Sequence, residues 1–423
     1  MSWIDHALWW QVYPLGIDGR DVRGPHVPAG PGEGLAHVAR YLDHVVELGL
    51  NGLALGPVFA SATHGYDTLD HLAIDPRLGT RADFDALVAA CRDRGVRLLL
   101  DGVFNHVSRE HPLARRALAE GPDGEVAGWF RIDWDAPDGP RFADFEGHGS
   151  LVALDHSSPA VQDYVAEVMM HWLDAGADGW RLDAAYAVDP AFWAAVLPRV
   201  RAAHPDAWIV GEMIHGDYAA YVRDSGIDSV TEYELWKATW SSLASRNPHE
   251  LDWTLRRHDA LLDSFVPATF VGNHDVTRIA SQVGSDGAAV AAAVLMTLGG
   301  VPTVYYGDEL GWRGVKEDRL GGDDAVRPAL PADPAYLPGV AGSDPMLWRA
   351  YHALVALRRR HPWLVRARTQ VLDVAADRLV YRSAADGGAL DVELTLTGEG
   401  GVTASVRTPD GEELVRVGTH GSV

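Results

Sequence analysis

The chain has 423 residues, 47% of them hydrophobic, which is enough for a barrel of roughly 250 residues or more with additional segments. Its formal net charge of −23 argues against nucleic acid and anionic membranes as partners, because both are bound by basic surfaces. Cys91 is the only cysteine, so an intrachain disulfide and a thiolate metal cluster are both excluded.

Two stretches bear on where the protein resides. The N-terminal segment MSWIDHALWWQ lacks a basic stretch followed by an apolar stretch, so it does not resemble a secretory signal peptide. The longest apolar run, residues 288–300, is alanine-rich and shorter than the ~18 residues that a membrane span needs. We therefore expect a soluble, cytoplasmic protein that does not contact membranes.

Short apolar segments alternate with helical patterns along the first 361 residues. The helical patterns include residues 35–49, 82–95 and 159–176. This alternation is typical of a parallel α/β fold, and eight strand–helix units predict a (β/α)8 TIM barrel. A doubly wound sheet would need a glycine-rich phosphate turn after its first strand, and YPLGIDG at 13–19 is not such a turn. The predicted strands are residues 9–15, 52–58, 97–104, 178–185, 208–213, 228–234, 267–275 and 302–309.

Two further segments stand apart from the barrel pattern. Residues 106–157 are rich in Gly, Pro, Asp and Trp and are too long for a plain loop, so they predict a short inserted subdomain after the third strand. Residues 362–423 alternate with period two around DGG and PDG turns, which predicts a small C-terminal antiparallel β domain. The catalytic barrel is then predicted to comprise residues 1–105 and 158–361.

Three carboxylates follow predicted barrel strands. Asp183 lies in GWRLDAAY (179–186), Glu212 in GEMIHGD (211–217) and Asp275 in VGNHDVTR (271–278). Residues at the carboxyl ends of barrel strands carry function, so we expect the three acids to converge on one site. Arg181 lies two residues before Asp183 and therefore points to the same side of the strand. Three converging carboxyl groups serve either a metal ion or the cleavage of a glycosidic bond, and both readings are open at this point.

These three stretches, preceded by DGVFNHVS (101–108), resemble the four short motifs of the α-amylase family, glycoside hydrolase family 13, in order and spacing. GYDTLDHLAIDPRLGT (65–80) and GGVPTVYYGDELG (299–311) resemble two further family segments. The resemblance is closest to the intracellular branch of neopullulanases, cyclomaltodextrinases and α-glucosidase-like enzymes that act on oligosaccharides. It implies a TIM-barrel glycosidase.

The resemblance also implies roles for the three acids. Asp183 would be the nucleophile, Glu212 the general acid/base and Asp275 the transition-state stabiliser. A retaining mechanism needs one ionised carboxylate and one protonated acid. We expect Arg181 to hold Asp183 ionised and oriented, because an adjacent cation favours the charged form.

The remaining site residues follow from the same motifs. Tyr66 would stack under the sugar being cleaved, while His106 and His274 would bind its hydroxyls. Arg278 and Arg327 are candidates to reach substrate hydroxyls, with a role in pinning loops left open for both. Behind these residues, we expect Asp101 and Asn105 to support the site, with Asp101 paired to Arg181.

We expect neither a cofactor nor a metal ion. Family members that bind a structural calcium use the Asn of the first motif, and Asn105 is present. However, Ala153 and Ala187 stand where the resemblance implies Asp and His ligands. Calcium requires an oxygen-rich ligand set, so the structural calcium is doubtful.

The function that the resemblance implies is that of a retaining α-glycoside hydrolase. It would cleave small α-linked gluco-oligosaccharides through a covalent glycosyl-enzyme intermediate, and a small α-glucoside would be its partner. The alternatives are a transglycosylase or a trehalose- or maltose-forming isomerase using the same intermediate, and an inactive sugar-binding relative. A metal-dependent barrel hydrolase is a further alternative. Linkage preference, substrate length and oligomeric state are not specified by these motifs.

Overall fold

Within residues 2–397, eight parallel strands lie side by side in one sheet. The computed structural model describes residues 2–397 and 401–419. The first six strands pair in chain order, the first also pairs with the eighth, and the eighth pairs with the seventh. A parallel bridge between Thr231 and Ala268 joins the sixth strand to the seventh, so the barrel is nearly closed. The predicted TIM barrel is confirmed. Its strands are Trp9–Val12, Gly52–Leu55, Arg97–Gly102, Gly179–Leu182, Trp208–Gly211, Ser229–Val230, Ala268–Phe270 and Val301–Tyr305.

Several strands end earlier than the sequence pattern predicts. The sixth is limited to Ser229–Val230, and a helix begins at Tyr233 within the predicted strand 228–234. The seventh ends at Phe270, because the chain then turns: the side chain of Asn273 accepts a hydrogen bond from the Asp275 backbone N–H at 2.9 Å. These early ends leave the residues that follow free to form the rim of the barrel.

Helices cover the outside of the barrel and begin at recognisable caps. Thr80 and Asp83 form a reciprocal capping box at the helix Arg81–Asp93. The Asp189 side chain accepts from the Ala191 N–H at the start of Pro190–Ala203. The predicted helix 35–49 is split into two short helices. The α-helices are Leu35–Arg40, Leu42–Glu47, Arg81–Asp93, Pro112–Glu120, Pro159–Asp174, Pro190–Ala203, Tyr218–Ser225, Tyr233–Ser245, His249–Leu261, Ile279–Thr297 and Pro345–Arg360.

The helix Ile279–Thr297 is long and apolar enough, by length and composition, to cross a membrane, with a mean hydropathy of 1.3. However, 67% of that apolar stretch is buried inside the protein. Gly284 has a φ of 72° and interrupts the helix, so the continuous part after it is shorter than the ~20 residues of a typical span. This segment is a core helix of the fold.

The inserted segment carries small antiparallel sheets of its own. His148–Ala153 pairs with His106–Ser108 on one side and with Asp144–Phe145 on the other. Ile132–Asp133 pairs with Arg141–Phe142. The segment therefore stands on the carboxyl-terminal face of the barrel, where its strand His106–Ser108 continues from the third barrel strand.

A five-stranded antiparallel sheet follows the last helix in the described part of the chain, as the alternating pattern predicts. Every second residue of its central strand faces inward, and Leu390, Val392, Leu394 and Leu396 are all buried. The sheet packs against the helices Ile279–Thr297 and His249–Leu261. Its strands are Arg368–Ala375, Arg378–Ala385, Gly388–Thr397, Gly401–Arg407 and Glu413–Gly418.

Candidate active site

Two of the three predicted acids follow directly after barrel strands. The Asp183 N–H donates to the carbonyl of Gly102 at 3.0 Å, and the Glu212 N–H donates to the carbonyl of Leu182 at 2.9 Å. The hydrogen-bond ladder of the barrel thus extends one residue past the strand ends and fixes both backbones at the rim. Asp275 lies further along its loop, after the seventh strand. All three carboxyl groups line one cavity of about 290 Å³.

Arg181 lies at the centre of this arrangement. Its Nη1 donates to Asp183 Oδ1 at 2.8 Å and to Asp101 Oδ1 at 2.8 Å. Its Nη2 lies 2.6 Å from Glu212 Oε1. A planar guanidinium suits this task because it presents several donors in fixed directions. One side chain therefore orients the proposed nucleophile and the proposed acid together, and the predicted Asp101–Arg181 pair is formed.

The electrostatics of this cluster differ from the simple expectation. Burial raises the pKa of the Asp183 carboxyl well above its usual range; Arg181 opposes this rise, and the Glu212 carboxylate adds to it. Burial likewise raises the pKa of Asp101. Three carboxyl groups around one guanidinium carry more negative charge than it balances, which adds to the rise for Asp183 and Asp101. The expectation that Arg181 holds Asp183 ionised is therefore corrected, while the expected contact between the two side chains is formed.

Glu212 has two further hydrogen-bond donors. The Ala184 N–H donates to its Oε2 at 2.9 Å, and the Tyr233 hydroxyl donates to its Oε1 at 3.1 Å. Ala184 adopts a left-handed φ of 46°, a conformation that non-glycine residues rarely adopt and that clusters at functional sites. Asn273 Nδ2 donates to the Tyr233 hydroxyl at 2.9 Å. The sequence analysis missed Tyr233 and Asn273, although Asn273 lies inside the fourth motif.

Asp275 occupies a strongly cationic environment. His274 Nε2 lies 3.0 Å from its Oδ2, and Arg327 Nη2 lies 2.9 Å from its Oδ1. Burial raises the pKa of Asp275, but His274, Arg327 and Arg181 outweigh burial and hold that pKa well below its usual range. Asp275 is thus the acid of the site that stays ionised most firmly.

Tyr66 and His106 form the wall beside Asp275. The ring of Tyr66 is parallel to that of His274, with centroids 5.4 Å apart, and its hydroxyl donates to Asp101 Oδ2 at 3.1 Å. Burial lowers the pKa of His106 to about 4, so this ring is neutral at neutral pH. Its two nitrogens contact the Tyr66 carbonyl and the side chain of Asn105. A hydrogen bond from His106 to a sugar would replace one of these contacts.

The two remaining arginines have different positions. Arg278 is fully buried, where it donates to the Tyr306 carbonyl at 2.8 Å and to Asp308 Oδ1 at 2.9 Å. Its guanidinium is thus not available to substrate, and we remove it from the substrate-contacting set. Arg327 does reach the site, but through Asp275 and through the His274 carbonyl, to which its Nε donates at 2.9 Å. Its contacts match the loop-pinning role.

The residues around Asn105 do not fit a calcium ion. Ala153 and Ala187 offer no side-chain oxygen, and the Asn105 amide nitrogen is engaged with His106 Nδ1 at 3.1 Å. Of the three positions that the resemblance implies as ligands, only Asn105 offers a side-chain oxygen, so this set lacks the carboxylate on which such a site depends. Among residues 2–397 and 401–419, no group of three or more His, Cys, Asp or Glu side chains is placed to hold a metal.

Comparison with known proteins extends this picture. A family model described as Alpha amylase, catalytic domain, matches residues 20–369 of the chain. The sequence is 30% identical over 338 residues to the maltogenic α-amylase of Bacillus acidopullulyticus, covering 74% of this chain and 57% of that protein. It is 30% identical over 383 residues to neopullulanase 2 of Thermoactinomyces vulgaris, covering 85% of this chain and 64% of that protein. The chain therefore spans less than two thirds of the length of these two relatives.

The structure is also similar to solved structures. One is the cyclic α-maltosyl-(1→6)-maltose hydrolase from Arthrobacter globiformis in complex with cyclic α-maltosyl-(1→6)-maltose. The TM-score is 0.83 at 25% sequence identity, and the match covers 99% of each chain. The similarity thus includes the barrel, the inserted segment and the C-terminal sheet.

Proposed function

The chain belongs to the α-amylase family, and from this premise we propose that it is a retaining glycosidase of short α-linked gluco-oligosaccharides. One observation supports this proposal most strongly. The guanidinium of Arg181 contacts both Asp183 and Glu212 on the wall of one cavity. A nucleophile and a general acid must act on the same glycosidic bond, and this shared contact orients them together.

In the first step of the proposed reaction, a carboxylate oxygen of Asp183 forms a bond to the anomeric carbon. The bond between that carbon and the leaving oxygen breaks, and Glu212 gives its proton to the leaving oxygen. Glu212 must carry this proton before the step begins. Positive charge developing on the sugar favours the distribution in which Asp183 is ionised and Glu212 carries the proton.

In the second step, water replaces the leaving group. Glu212, now ionised, takes a proton from the water, the water oxygen bonds to the anomeric carbon, and the ester bond to Asp183 breaks. Asp275 acts in both steps, because its firmly ionised carboxylate stabilises the positive charge of the transition states. His274 and Arg327 hold it in place.

Short substrates suit the size of the cavity and the names of the relatives. A cavity of about 290 Å³ walled by the inserted segment accommodates few sugar units. Curated relatives include cyclomaltodextrinases and an intracellular maltogenic amylase of Bacillus subtilis. These names support oligosaccharides as substrates and the cytoplasm as the location.

We assign the catalytic barrel to residues 1–105 and 158–361, the inserted subdomain to residues 106–157 and the C-terminal β domain to residues 362–423.

The test follows both the products and their stereochemistry. The enzyme is incubated with maltotriose, and proton NMR records the anomeric form of the first sugar released. We expect glucose and maltose as products, with the newly formed reducing end released as the α-anomer. Release of the β-anomer would contradict retention. Longer sugars or trehalose as the main products would show that the enzyme catalyses transfer or isomerisation instead of hydrolysis.

A further inference from the structure

The inserted segment reaches the catalytic cavity through a tight hairpin. Phe145 pairs with His148 across a turn made of Glu146 and Gly147, and both turn residues have positive φ, 51° and 83°. This is the geometry of a two-residue type I′ turn, in which Asn, Asp and Gly are strongly preferred. The left-handed backbone conformation is energetically unfavourable for a glutamate. Residues strained in this way are often found at functional positions.

Two contacts hold the hairpin tip in place, one within the inserted segment and one to the loop after the fourth barrel strand. The ring of Phe145 stacks on His106 with centroids 4.6 Å apart. The hydroxyl of Tyr186 donates to Glu146 Oε1 at 2.9 Å. Both Glu146 and Tyr186 line the cavity that holds the three acids. The glutamate side chain therefore accepts a hydrogen bond from an aromatic residue that lines the same cavity.

Tyr186 lies on the flank where the leaving group departs. Its backbone N–H donates to the carbonyl of Glu212 at 3.2 Å, and its ring packs 5.4 Å from that of His215. Ile214, from the same segment, also lines the cavity. Because Glu212 protonates the leaving oxygen, the leaving sugar must occupy this flank.

We propose that Glu146 is a positioning residue that holds the Tyr186 ring as the platform for the leaving-group sugar. An aromatic ring offers a sugar a large apolar face at low cost in conformational entropy, provided that the ring is fixed. Burial and the hydrogen bond to Glu146 raise the pKa of Tyr186 above its ordinary value, so its hydroxyl stays a donor. This inference rests on the proposed function, since it assigns the leaving-group side from the role of Glu212.

Three variants separate this role from a role in the turn alone. Glu146→Gln keeps an acceptor oxygen within reach of Tyr186. Glu146→Gly removes the side chain and suits the left-handed turn better than glutamate does. Tyr186→Phe removes the donor. Thermal unfolding of each variant verifies that it is folded, and Glu146→Asn, which tolerates the turn but is shorter, replaces Glu146→Gly if the latter does not fold.

The measurement is kcat and KM for maltotriose, whose leaving group is a sugar, and for 4-nitrophenyl α-glucoside, whose leaving group is not. We expect Glu146→Gly to raise KM for maltotriose about fivefold, the effect of one lost hydrogen bond, with kcat changing less. The preference for maltotriose over the aryl glucoside should fall by the same factor. Glu146→Gln should keep most of the preference for maltotriose. The double variant of Tyr186→Phe and Glu146→Gly should differ little from either single variant, because both changes remove the same hydrogen bond.

The outcomes separate this inference from the proposed function. If the unmodified enzyme cleaves neither substrate, the proposed function fails. If it cleaves both and Glu146→Gly lowers kcat/KM equally for both, the positioning role is overturned while the glycosidase assignment stands. The role is also overturned if Glu146→Gly matches the unmodified enzyme for maltotriose, because the side chain at position 146 would then not be needed to hold Tyr186.

Discussion

Arg181 Nη2 lies 2.6 Å from Glu212 Oε1, although Arg181 belongs to the fourth barrel strand and Glu212 follows the fifth. The same guanidinium contacts Asp183 and Asp101 through its other terminal nitrogen. The proposed general acid and the proposed nucleophile are thus oriented by one group whose charge does not change with pH. This shared contact makes the position of each carboxyl group dependent on the other.

Replacing Arg181 tests the importance of that contact. Arg181→Gln should lose both turnover and stability, because it leaves three buried carboxyl groups without their cation. Removing one partner of a buried ion pair costs about 3–5 kcal/mol, which urea unfolding would measure. Arg181→Lys is the matched control: it keeps the charge but lacks the fork, so it should recover stability more than kcat. Equal recovery of both would contradict an orienting role.

Glu212→Gln tests the general acid. Turnover of maltotriose should fall by the ~10²–10⁴ typical of lost acid–base catalysis. 4-Nitrophenyl α-glucoside should be affected less in the first step, because its leaving group departs without full protonation. Tyr233→Phe, which removes one donor to the same carboxyl group, provides a milder comparison. If Glu212→Gln reduced the first step equally for both substrates, Glu212 would not be the acid.

Arg327 should control the pH dependence through Asp275. The cations around Asp275 hold its pKa well below the usual range, so it remains ionised in acid. In Arg327→Gln the pKa of Asp275 rises, and activity should then be lost at a higher pH as the solution is acidified. The pH profile of kcat/KM measures this shift. Arg23→Gln is the control, since Arg23 pairs with Asp324 and lies outside the lining of the catalytic cavity. An unchanged acid limb in Arg327→Gln would refute the coupling.

The buried pair of Arg278 and Asp308 should affect stability and not substrate binding. Burial raises the pKa of Asp308 to about 7, with Arg278 opposing the rise and Glu309 adding to it. An aspartate is near pKa 4 when unfolded, so the native state binds the extra proton between about pH 4 and pH 7. The contribution of Asp308 to the free energy of unfolding is therefore greatest below about pH 4. It falls by about 4 kcal/mol as the pH rises to about 7.

Asp308→Asn removes this dependence. Urea unfolding across the same pH range should show a flatter decline than in the unmodified protein. KM for maltotriose should be unchanged, because Arg278 and Asp308 are buried away from the cavity. A variant whose stability declined as steeply as that of the unmodified protein would show that Asp308 does not titrate in this range.

The barrel and the family can be predicted from the sequence, because the motifs combine strand patterns with acidic residues. Both predictions are confirmed. The sequence fails for Arg278, whose place in the fourth motif does not reveal that its side chain turns into the core towards Asp308. It also misses Tyr233 and Glu146. Both act through contacts with residues more than twenty positions away, Tyr233 with Glu212 and Glu146 with Tyr186.

The electrostatic expectation for Asp183 failed for a related reason. The spacing of Arg181 and Asp183 shows that they face the same side, but it does not show how many other carboxyl groups share that arginine. In the structure Asp101 and Glu212 also contact Arg181. All three carboxyl groups are buried. A pKa depends on the sum of these contributions, so it can be assessed only once the chain is folded.

We propose that Asp183 forms a covalent bond to the sugar. This proposal is tested most directly by treating the enzyme with a fluorinated α-glucosyl fluoride, which forms the glycosyl-enzyme but slows its hydrolysis, and then mapping the label by mass spectrometry of peptides. We expect one fluoroglucosyl group on the peptide that contains Asp183, and no labelling in Asp183→Asn. A label on another residue, or turnover with no label and release of the β-anomer, would contradict it.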